Sequence, residues 1–371
     1  MLIGAGMATM LLASCGNGGK TFSGLDPAKF DTVINEKPVK LYTLTNKKGV
    51  EACITNFGGR VVSLMVPDRN GNFIDVVLGY DKLWMYFKNG SFFGATVGPI
   101  ANRTKGGTYK LDGKKVSLPV NDRGANNLHS DHDIGFHKRL WKAEVVKNGV
   151  KLSLKKKNGE MGHPGNMDVS VTYTLTDKNE LKIDYRASSD KKTAINMTNH
   201  TYFNLQGAES ASMLDTVLTI NADRYTEVDK RAIPAGQLVP VKGTPMDFTK
   251  PKKIGKDIDK KEYEQIKLAG GFDHNYCISG YNGKKKLIAE ASDAKSGRSM
   301  KVYTDLPGVQ FYSGNFIGKN KGKGGNPNVP RKGFCLETQY YPDAMNHEDF
   351  PQPVFGPGKD FVSTTIYQFE W

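Results

Sequence analysis

The sequence predicts an all-β protein that folds as one large, single-domain antiparallel β-sandwich. Short runs of alternating or apolar residues, separated by turn signals, fill the chain, and long helical periodicity is nearly absent. No change of composition divides the 371 residues into halves. Many strands in one unbroken chain favour one large sandwich over two packed small ones.

Alternating hydrophobicity and turn residues predict the individual strands. Residues 143–146 and 150–154 flank Asn148-Gly149, a preferred tight-turn pair, and therefore predict a hairpin. Residues 168–175 and 181–185 predict a second hairpin. The remaining predicted elements are strands at 60–66, 75–78, 217–220, 300–303 and 364–369 and a short helix at 260–268.

The N-terminal residues differ from the rest of the chain. An apolar stretch covers residues 1–13, small residues precede Cys15, and a polar, Gly-rich segment follows. This pattern resembles a bacterial lipobox, in which cleavage leaves the cysteine as the acylated first residue, and the stretch is too short to span a bilayer. An ordinary disordered N-terminus is the alternative. We therefore predict an exported lipoprotein, periplasmic or anchored in the outer membrane, with a signal peptide at 1–14, a flexible tether at 15–30 and the sandwich domain at 31–371.

Charge and cysteine spacing exclude several classes of protein. The net charge of +14 comes from Lys and Arg scattered through turns, without the long runs typical of nucleic-acid-binding tails, so no nucleic-acid partner is expected. Cys53, Cys277 and Cys335 have neither metal-binding nor redox spacing. We expect them to be buried, without a disulfide framework.

Two side chains are candidates for acid–base chemistry. Glu337 lies within an apolar, aromatic segment, and a buried carboxylate must be paired or raise its pKa, as a general base working near neutral pH requires. His200 lies in a segment with the alternation of a strand. Taken alone, a histidine in such a strand is more often a hydrogen-bonded structural residue than a catalyst.

Several other polar residues suggest a ligand site. His129, His132 and His137 cluster in one loop, but no zinc-type spacing recurs, so we predict neither a metal nor a cofactor. Planar polar side chains lie beside aromatic residues at Asp273 and Gln310, a combination that suits a sugar. A nucleophile elbow, a Walker loop and a dinucleotide fingerprint are absent from the sequence.

Six segments of the chain, taken together, resemble the galactose mutarotase (aldose 1-epimerase) family. They occur in the family's order, and the similarity runs from about residue 41 to the C-terminus: residues 56–60, 98–103, 127–129, 198–205, 307–316 and 336–339. The resemblance implies the family's large β-sandwich, an open cleft on one sheet and no cofactor. It implies Glu337 as general base and His200 as general acid. The substrate-binding residues that it implies are Asn102, Arg103, His129, Tyr202, Asp273 and Gln310.

The function that this resemblance implies is the interconversion of the α and β anomers of free hexoses such as glucose and galactose. Glu337 would take the proton of the anomeric hydroxyl while the imidazolium of His200 protonates the ring oxygen. A free aldohexose is the expected partner, and membrane contact is expected only through Cys15. Ser130-Asp131 replaces the Gly-Gly that often follows in the family, which leaves the sugar preference open.

Three alternatives remain at this point. A hexose-phosphate 1-epimerase would be mildly favoured by the positive charge. A non-catalytic carbohydrate-binding sandwich would keep the polar and aromatic residues without needing a paired acid and base. A glycoside hydrolase or lyase would need a second placed carboxylate or a metal, for which the sequence offers no persuasive pair.

Overall fold

The computed structural model describes residues 19–88 and 91–371. Within them the strands, in chain order, are β1 (Thr32–Ile34), β2 (Lys37–Val39), β3 (Leu41–Thr45), β4 (Glu51–Thr55), β5 (Arg60–Pro67), β6 (Phe73–Asp75), β7 (Ala95–Val97), β8 (Arg103–Thr104), β9 (Thr108–Leu111), β10 (Lys114–Ser117), β11 (Asn127–Leu128), β12 (Lys142–Val146), β13 (Gly149–Lys156), β14 (Met167–Leu175), β15 (Glu180–Ser189), β16 (Thr193–Ala194), β17 (Thr198–His200), β18 (Val217–Ile220), β19 (Arg224–Val228), β20 (Pro234–Pro240), β21 (Lys252–Lys253), β22 (Asp273–Cys277), β23 (Lys286–Ser292), β24 (Ser299–Thr304), β25 (Gly308–Tyr312), β26 (Asn320–Lys321), β27 (Pro327–Asn328), β28 (Cys335–Gln339), β29 (Val354–Phe355) and β30 (Phe361–Glu370). The α-helices are α1 (Leu83–Lys88) and α2 (Glu264–Ala269).

Three sheets form the sandwich. A nine-stranded sheet has the order β12-β13-β14-β15-β30-β24-β23-β18-β21. A five-stranded sheet has the order β20-β19-β22-β25-β28, and a four-stranded sheet the order β3-β4-β5-β6. Neighbouring strands in all three are antiparallel. The predicted all-β, antiparallel fold is therefore confirmed.

The hydrophobic core lies between the nine-stranded sheet and the two smaller ones. One continuous cluster of buried apolar side chains includes Ile54 of β4, Val171 of β14 and Leu336 of β28. The hydroxyl of Tyr367 in β30 crosses between layers and donates to the carbonyl oxygen of Leu336 at 2.9 Å. Because the inward positions of facing strands are apolar, the two layers pack as a sandwich.

Both predicted hairpins are present, as β12 with β13 and β14 with β15. The prediction of a strand at 75–78 is wrong beyond its first residue, because β6 ends at Asp75. The Oδ1 atom of Asp75 accepts from the backbone N–H groups of Leu64 at 3.0 Å and Val77 at 3.1 Å. A side-chain oxygen thus takes backbone donors that a continuing strand would give to its neighbour.

The helices are short. The predicted helix at 260–268 is observed as α2, shifted towards the C-terminus, where Gly270 adopts the left-handed conformation and donates its N–H to the carbonyl oxygen of Ile266. The six-residue helix α1 was not predicted. A helix of fewer than two turns carries too little periodicity to be recognised in a sequence.

The N-terminal part of the described chain packs on the four-stranded sheet. The Glu51 carboxylate accepts from the backbone N–H groups of Phe22 at 2.9 Å and Ser23 at 3.0 Å, and Leu25 and Phe30 are buried. Residues 21–30, predicted as part of a flexible tether, therefore lie against the sandwich. Cys15 and the predicted signal peptide lie outside the described residues. Among the described residues, no helix has the length and apolar character needed to cross a membrane.

Candidate active site

Strand β28 positions the candidate base by simple alternation. Leu336 belongs to the core cluster, and the hydroxyl of Thr338 bonds with that of Thr365 in the nine-stranded sheet. Successive side chains of a strand point to opposite faces, so Cys335 and Glu337 point away from that core. Both remain buried, because other segments cover this second face. The apolar segment around Glu337 thus reflects a strand buried on both sides.

The register of the five-stranded sheet collects the polar residues on this second face. Gln310 of β25 lies directly opposite Glu337, and Tyr312 lies between Asp273 of β22 and Cys335. The Nε2 atom of Gln310 donates to Oδ1 of Asp273 at 2.7 Å. Three strands therefore build one patch from residues that are far apart in the sequence.

His200 reaches the same patch from β17. This strand pairs with β7, and the carbonyl oxygen of His200 accepts from the N–H of Gly94 at 3.0 Å. The Nε2 atom of His200 lies 3.5 Å from Oε1 of Glu337, and its Nδ1 atom lies 3.4 Å from Sγ of Cys335. Each ring nitrogen of His200 thus has a polar neighbour, and the neighbour of Nε2 is the candidate base, Glu337.

His129, Asn102 and Arg103 lie at the paired strands β8 and β11: Arg103 begins β8, Asn102 precedes it, and His129 follows β11. The backbone N–H of Asn102 donates to Nδ1 of His129 at 3.0 Å. Since Nδ1 accepts this bond, neutral His129 carries its proton on Nε2 and acts as a donor there. The Nε atom of Arg103 donates to Oδ2 of Asp122 at 3.0 Å, and both side chains are largely buried. This ion pair orients the guanidinium at the edge of the patch.

Burial shifts the pKa values of these groups towards their uncharged forms. It lowers the pKa of His200 to about 3, with a further lowering from the positive charge of Arg60. It raises the pKa of Glu337 well above its usual range; the Asp273 carboxylate adds to this increase and Arg103 opposes it. Burial, with a smaller effect of His200, also lowers the pKa of His129 well below 6.5.

Together these shifts leave one proton on the pair of His200 and Glu337. Because burial disfavours both charged forms, the favoured arrangement is neutral His200 beside protonated Glu337. The ion pair of imidazolium and carboxylate contains the same number of protons, and a transfer of one proton interconverts the two arrangements. The pair is therefore suited to exchanging a proton with a substrate at each of its two members.

A cleft of about 480 Å³ exposes this patch to solvent. Seven of the eight predicted site residues line it, namely Asn102, Arg103, His129, His200, Tyr202, Asp273 and Glu337. The eighth, Gln310, is buried beside them and donates from its Nε2 atom to Oδ1 of Asp273. A larger groove of about 880 Å³ lies on the outer face of β12 to β15, and its lining residues include no histidine and no glutamate.

The three loop histidines lie around one aromatic ring, and a different group of residues has the spacing of metal ligands. The side chains of His129, His132 and His137 surround the ring of Phe92, and His132 is exposed whereas the other two are buried. Among the described residues, the group that could hold a metal ion is His129, His200 and Glu337, whose ligand-type atoms lie within 4.8 Å of one another. His129 has its Nδ1 occupied by a backbone N–H, so its Nε2 offers a proton and no lone pair.

The prediction from sequence missed four residues of the site. Tyr312 and Phe92 line the cleft, Cys335 contacts His200, and Asp122 binds Arg103. For Cys335 and Tyr312, the alternation of β28 and β25 with Glu337 and Gln310 was a usable signal. Phe92 and Asp122 come from loops, where no periodicity indicates which way a side chain points.

Known proteins resemble this chain over most of its length. The family model described as aldose 1-epimerase matches residues 40–368. Galactose mutarotase from Rattus norvegicus is 44% identical over 317 residues, which cover 85% of this chain and 90% of the rat protein. Aldose 1-epimerase from Escherichia coli K12 is 36% identical over 338 residues, or 90% of this chain and 96% of that protein. The crystal structure of a GalM/aldose epimerase homologue from C. elegans has a TM-score of 0.82 at 30% identity and covers 90% of this chain and 99% of its own. The chain therefore belongs to the aldose 1-epimerase family.

Proposed function

We propose that this isomerase interconverts the α and β anomers of free hexoses such as glucose and galactose, with Glu337 as general base and His200 as general acid. The observation that supports these roles most directly is the 3.5 Å contact between His200 Nε2 and Glu337 Oε1 at the cleft. The two oxygens that exchange protons during ring opening are bonded to the same carbon of the sugar. A neighbouring acid and base can therefore serve both.

The proposed cycle uses both proton arrangements of the pair. Ring opening begins with the ion pair: Glu337 takes the proton of the anomeric hydroxyl while the imidazolium of His200 protonates the ring oxygen, and the C1–O5 bond breaks. The pair is now neutral, and the substrate is an open-chain aldehyde. After rotation about C1–C2, Glu337 returns its proton to the carbonyl oxygen and His200 takes the proton of the attacking hydroxyl, which closes the ring as the other anomer.

The other cleft residues bind and orient the sugar in this proposal. His129 donates from Nε2, Asn102 and the ion-paired Arg103 supply further polar contacts, and Asp273 accepts from hydroxyls. Gln310 holds Asp273 in place. Fixing the sugar with its C1 beside the pair converts a slow, poorly oriented encounter into an effectively unimolecular reaction. Charge that develops on the sugar oxygens meets donors already in place.

The alternative of a phosphorylated hexose is less compatible with this cleft. Arg103 is the single Lys or Arg among the described residues that line it, and its guanidinium is already paired with Asp122. A phosphate carries up to two negative charges and is usually bound by unpaired cations or backbone N–H groups. A non-catalytic sugar-binding protein would in turn have no need for a buried acid and base in contact.

Polarimetry tests the proposed activity. Freshly dissolved α-glucose and α-galactose should reach rotational equilibrium faster with the protein than without it, and glucose 6-phosphate should show little acceleration. Binding of a free hexose without acceleration would identify a sugar-binding protein. Acceleration restricted to the phosphorylated sugar would identify a hexose-phosphate epimerase.

Substitution of the base tests its role. Glu337→Gln keeps the size and hydrogen-bonding capacity of the side chain but removes proton acceptance, so mutarotation should fall by roughly 10²–10⁴-fold with sugar binding largely retained. His200→Asn should produce a comparable loss. Glu290→Gln, at an exposed position of β23, is the matched control and should leave the rate unchanged. Near-normal turnover by folded Glu337→Gln protein would remove Glu337 from this role.

The location of the protein is a separate proposal. The small residues before Cys15, which follow an apolar stretch, support export and acylation of this cysteine in a bacterial host. Residues 21–30 pack on the sandwich, so the free tether between Cys15 and the domain would be only a few residues long. The enzyme would then work close to the membrane surface, on sugars outside the cytoplasm.

A further inference from the structure

Arg60, at the start of β5, is a buried cation that the proposed reaction does not use. Its side chain is fully buried, and the groups whose negative charge would stabilise it are the phenols of Tyr86, Tyr80 and Tyr173. None of the carboxylates in the described part of the chain forms an ion pair with it. Burying a charge without a counter-charge is costly, so the contacts that this guanidinium makes must compensate.

Those contacts are with the main chain of two loops beside the cleft. Nη1 of Arg60 donates to the carbonyl oxygen of Phe93 at 2.9 Å, and Nη2 donates to the carbonyl oxygen of His137 at 2.8 Å. We call residues 91–94 the Phe92 loop and residues 131–138 the His137 loop. The planar fork of the guanidinium thus holds the two loops at a fixed separation, which a single ammonium group cannot do in the same geometry.

The two loops meet at the ring of Phe92. This ring lies 4.5 Å from the ring of His137 and 4.6 Å from that of His129, measured between centroids. It also stacks on the imidazole of His200, with centroids 5.5 Å apart and planes inclined by 24°. Tyr202 stacks on the same imidazole at 4.9 Å and 29°. Two aromatic rings therefore restrict the rotation of His200.

We propose that Phe92 is a positioning residue for His200, and that Arg60 acts through it by holding the Phe92 loop and the His137 loop together. This inference rests on the proposed function, in which His200 must direct Nε2 both at Glu337 and at the ring oxygen. Rotation of the imidazole about its bond to Cβ would move Nε2 out of line with either partner. Proton transfer depends steeply on such geometry.

The first test concerns the Phe92 ring. Phe92→Leu should lower kcat for mutarotation by roughly tenfold, the scale of one aromatic stacking contact, and leave KM nearly unchanged. Phe92→Tyr retains the ring and should restore kcat. Phe92 lines the cleft, so a direct contact with sugar is the competing role. A higher KM at unchanged kcat in Phe92→Leu would establish that role and overturn the proposal.

The second test concerns Arg60, with Arg298 as a matched control. Arg298 is also buried, and it donates to the carbonyl oxygens of Val66, Leu205 and Asn72, which do not line the cleft. Arg60→Lys and Arg298→Lys should both lower the unfolding temperature, but only Arg60→Lys should lower kcat. The effects of Arg60→Lys and Phe92→Leu on kcat should be less than additive in the double variant.

The outcomes separate the proposal from the function on which it rests. If the effects of Arg60→Lys and Phe92→Leu on kcat are fully additive, or if Arg298→Lys loses as much kcat as Arg60→Lys, Arg60 has only a structural role. If Arg60→Lys does not fold, the two Phe92 variants decide. Absence of mutarotation in the wild-type protein would refute the proposed function, whereas unchanged kinetics in Phe92→Leu would refute the positioning role alone.

Discussion

The proton shared by His200 and Glu337 determines how the rate should depend on pH. The pair works only while it holds one proton. At low pH it gains a second proton on His200, whose pKa burial lowers to about 3, so this loss occurs well below the usual histidine value of 6.5. At high pH it loses its only proton from Glu337, whose pKa burial raises well above 4.5.

The expected profile is therefore a bell with a broad top that extends across neutral pH. The measurement is the polarimetric rate from about pH 2.5 to about pH 9, corrected for the uncatalysed reaction at each pH. Glu337→Gln should remove the alkaline limb from whatever activity remains, because that limb belongs to the Glu337 carboxyl. A narrow optimum with its acid limb near 6.5 would contradict the shared proton and would indicate a solvent-exposed histidine.

At the scale of elements, the connection between β5 and the Phe92 loop depends on a glycine. Gly94 has a φ of +66°, and a Cβ added there would lie 1.9 Å from the carbonyl oxygen of Val61. The N–H of Gly94 also donates to the carbonyl oxygen of His200, which ties the loop to β17. A side chain at this position would push the Phe92 loop away from β5 and disturb the loop that packs on His200.

Gly94→Ala tests this close approach, with Gly113→Ala as its control. Gly113 has a similar φ of +76° but open space around its Cβ position. Gly113→Ala should cost about 1 kcal/mol of unfolding free energy from backbone strain alone. Gly94→Ala should cost about 3 kcal/mol or more, because overpacking adds to the strain. Urea unfolding curves for the two variants provide the comparison, and equal losses would show that the loop moves to accept the methyl group.

At the scale of the whole molecule, the proposed chemistry moves only protons. Dialysis against a chelator should therefore leave the mutarotation rate unchanged. The tautomer of His129 supports this expectation, since its bond from Asn102 leaves no lone pair on Nε2 for a metal ion. A loss of activity that one divalent ion restores would show that His129, His200 and Glu337 do hold a metal.

The proposed anchor is also a property of the whole chain. Full-length protein from a bacterial host should partition with membranes, since more than one acyl chain at Cys15 would give stable anchoring at about 0.8 kcal/mol per buried methylene. Cys15→Ala should abolish the acylation and change the processing. The measurement is the intact mass of the protein from its native host. An unmodified chain beginning at Met1 in the soluble cytoplasm would refute the anchor and leave the proposed enzyme activity untouched.

Local information in the sequence determined the strands and the identity of the chemical groups. Alternation set the two hairpins because one face of each strand is buried and the other is solvated. A carboxylate in an apolar segment marked Glu337 because an unpaired buried charge is costly. The hydrophobic pattern failed to predict the end of β6, where the Asp75 carboxylate accepts hydrogen bonds from two backbone N–H groups. A pattern of apolar residues does not show that a side chain competes with a neighbouring strand for backbone donors.

Only the tertiary structure decided how these groups act together. Cross-strand register placed Gln310 opposite Glu337 and within hydrogen-bond distance of Asp273, two contacts between residues that are far apart in the sequence. Packing set the tautomer of His129, and burial moved the pKa of His200 to about 3. These properties depend on which atoms from distant segments come into contact and on how much water they exclude, and neither is a property of any local stretch of sequence.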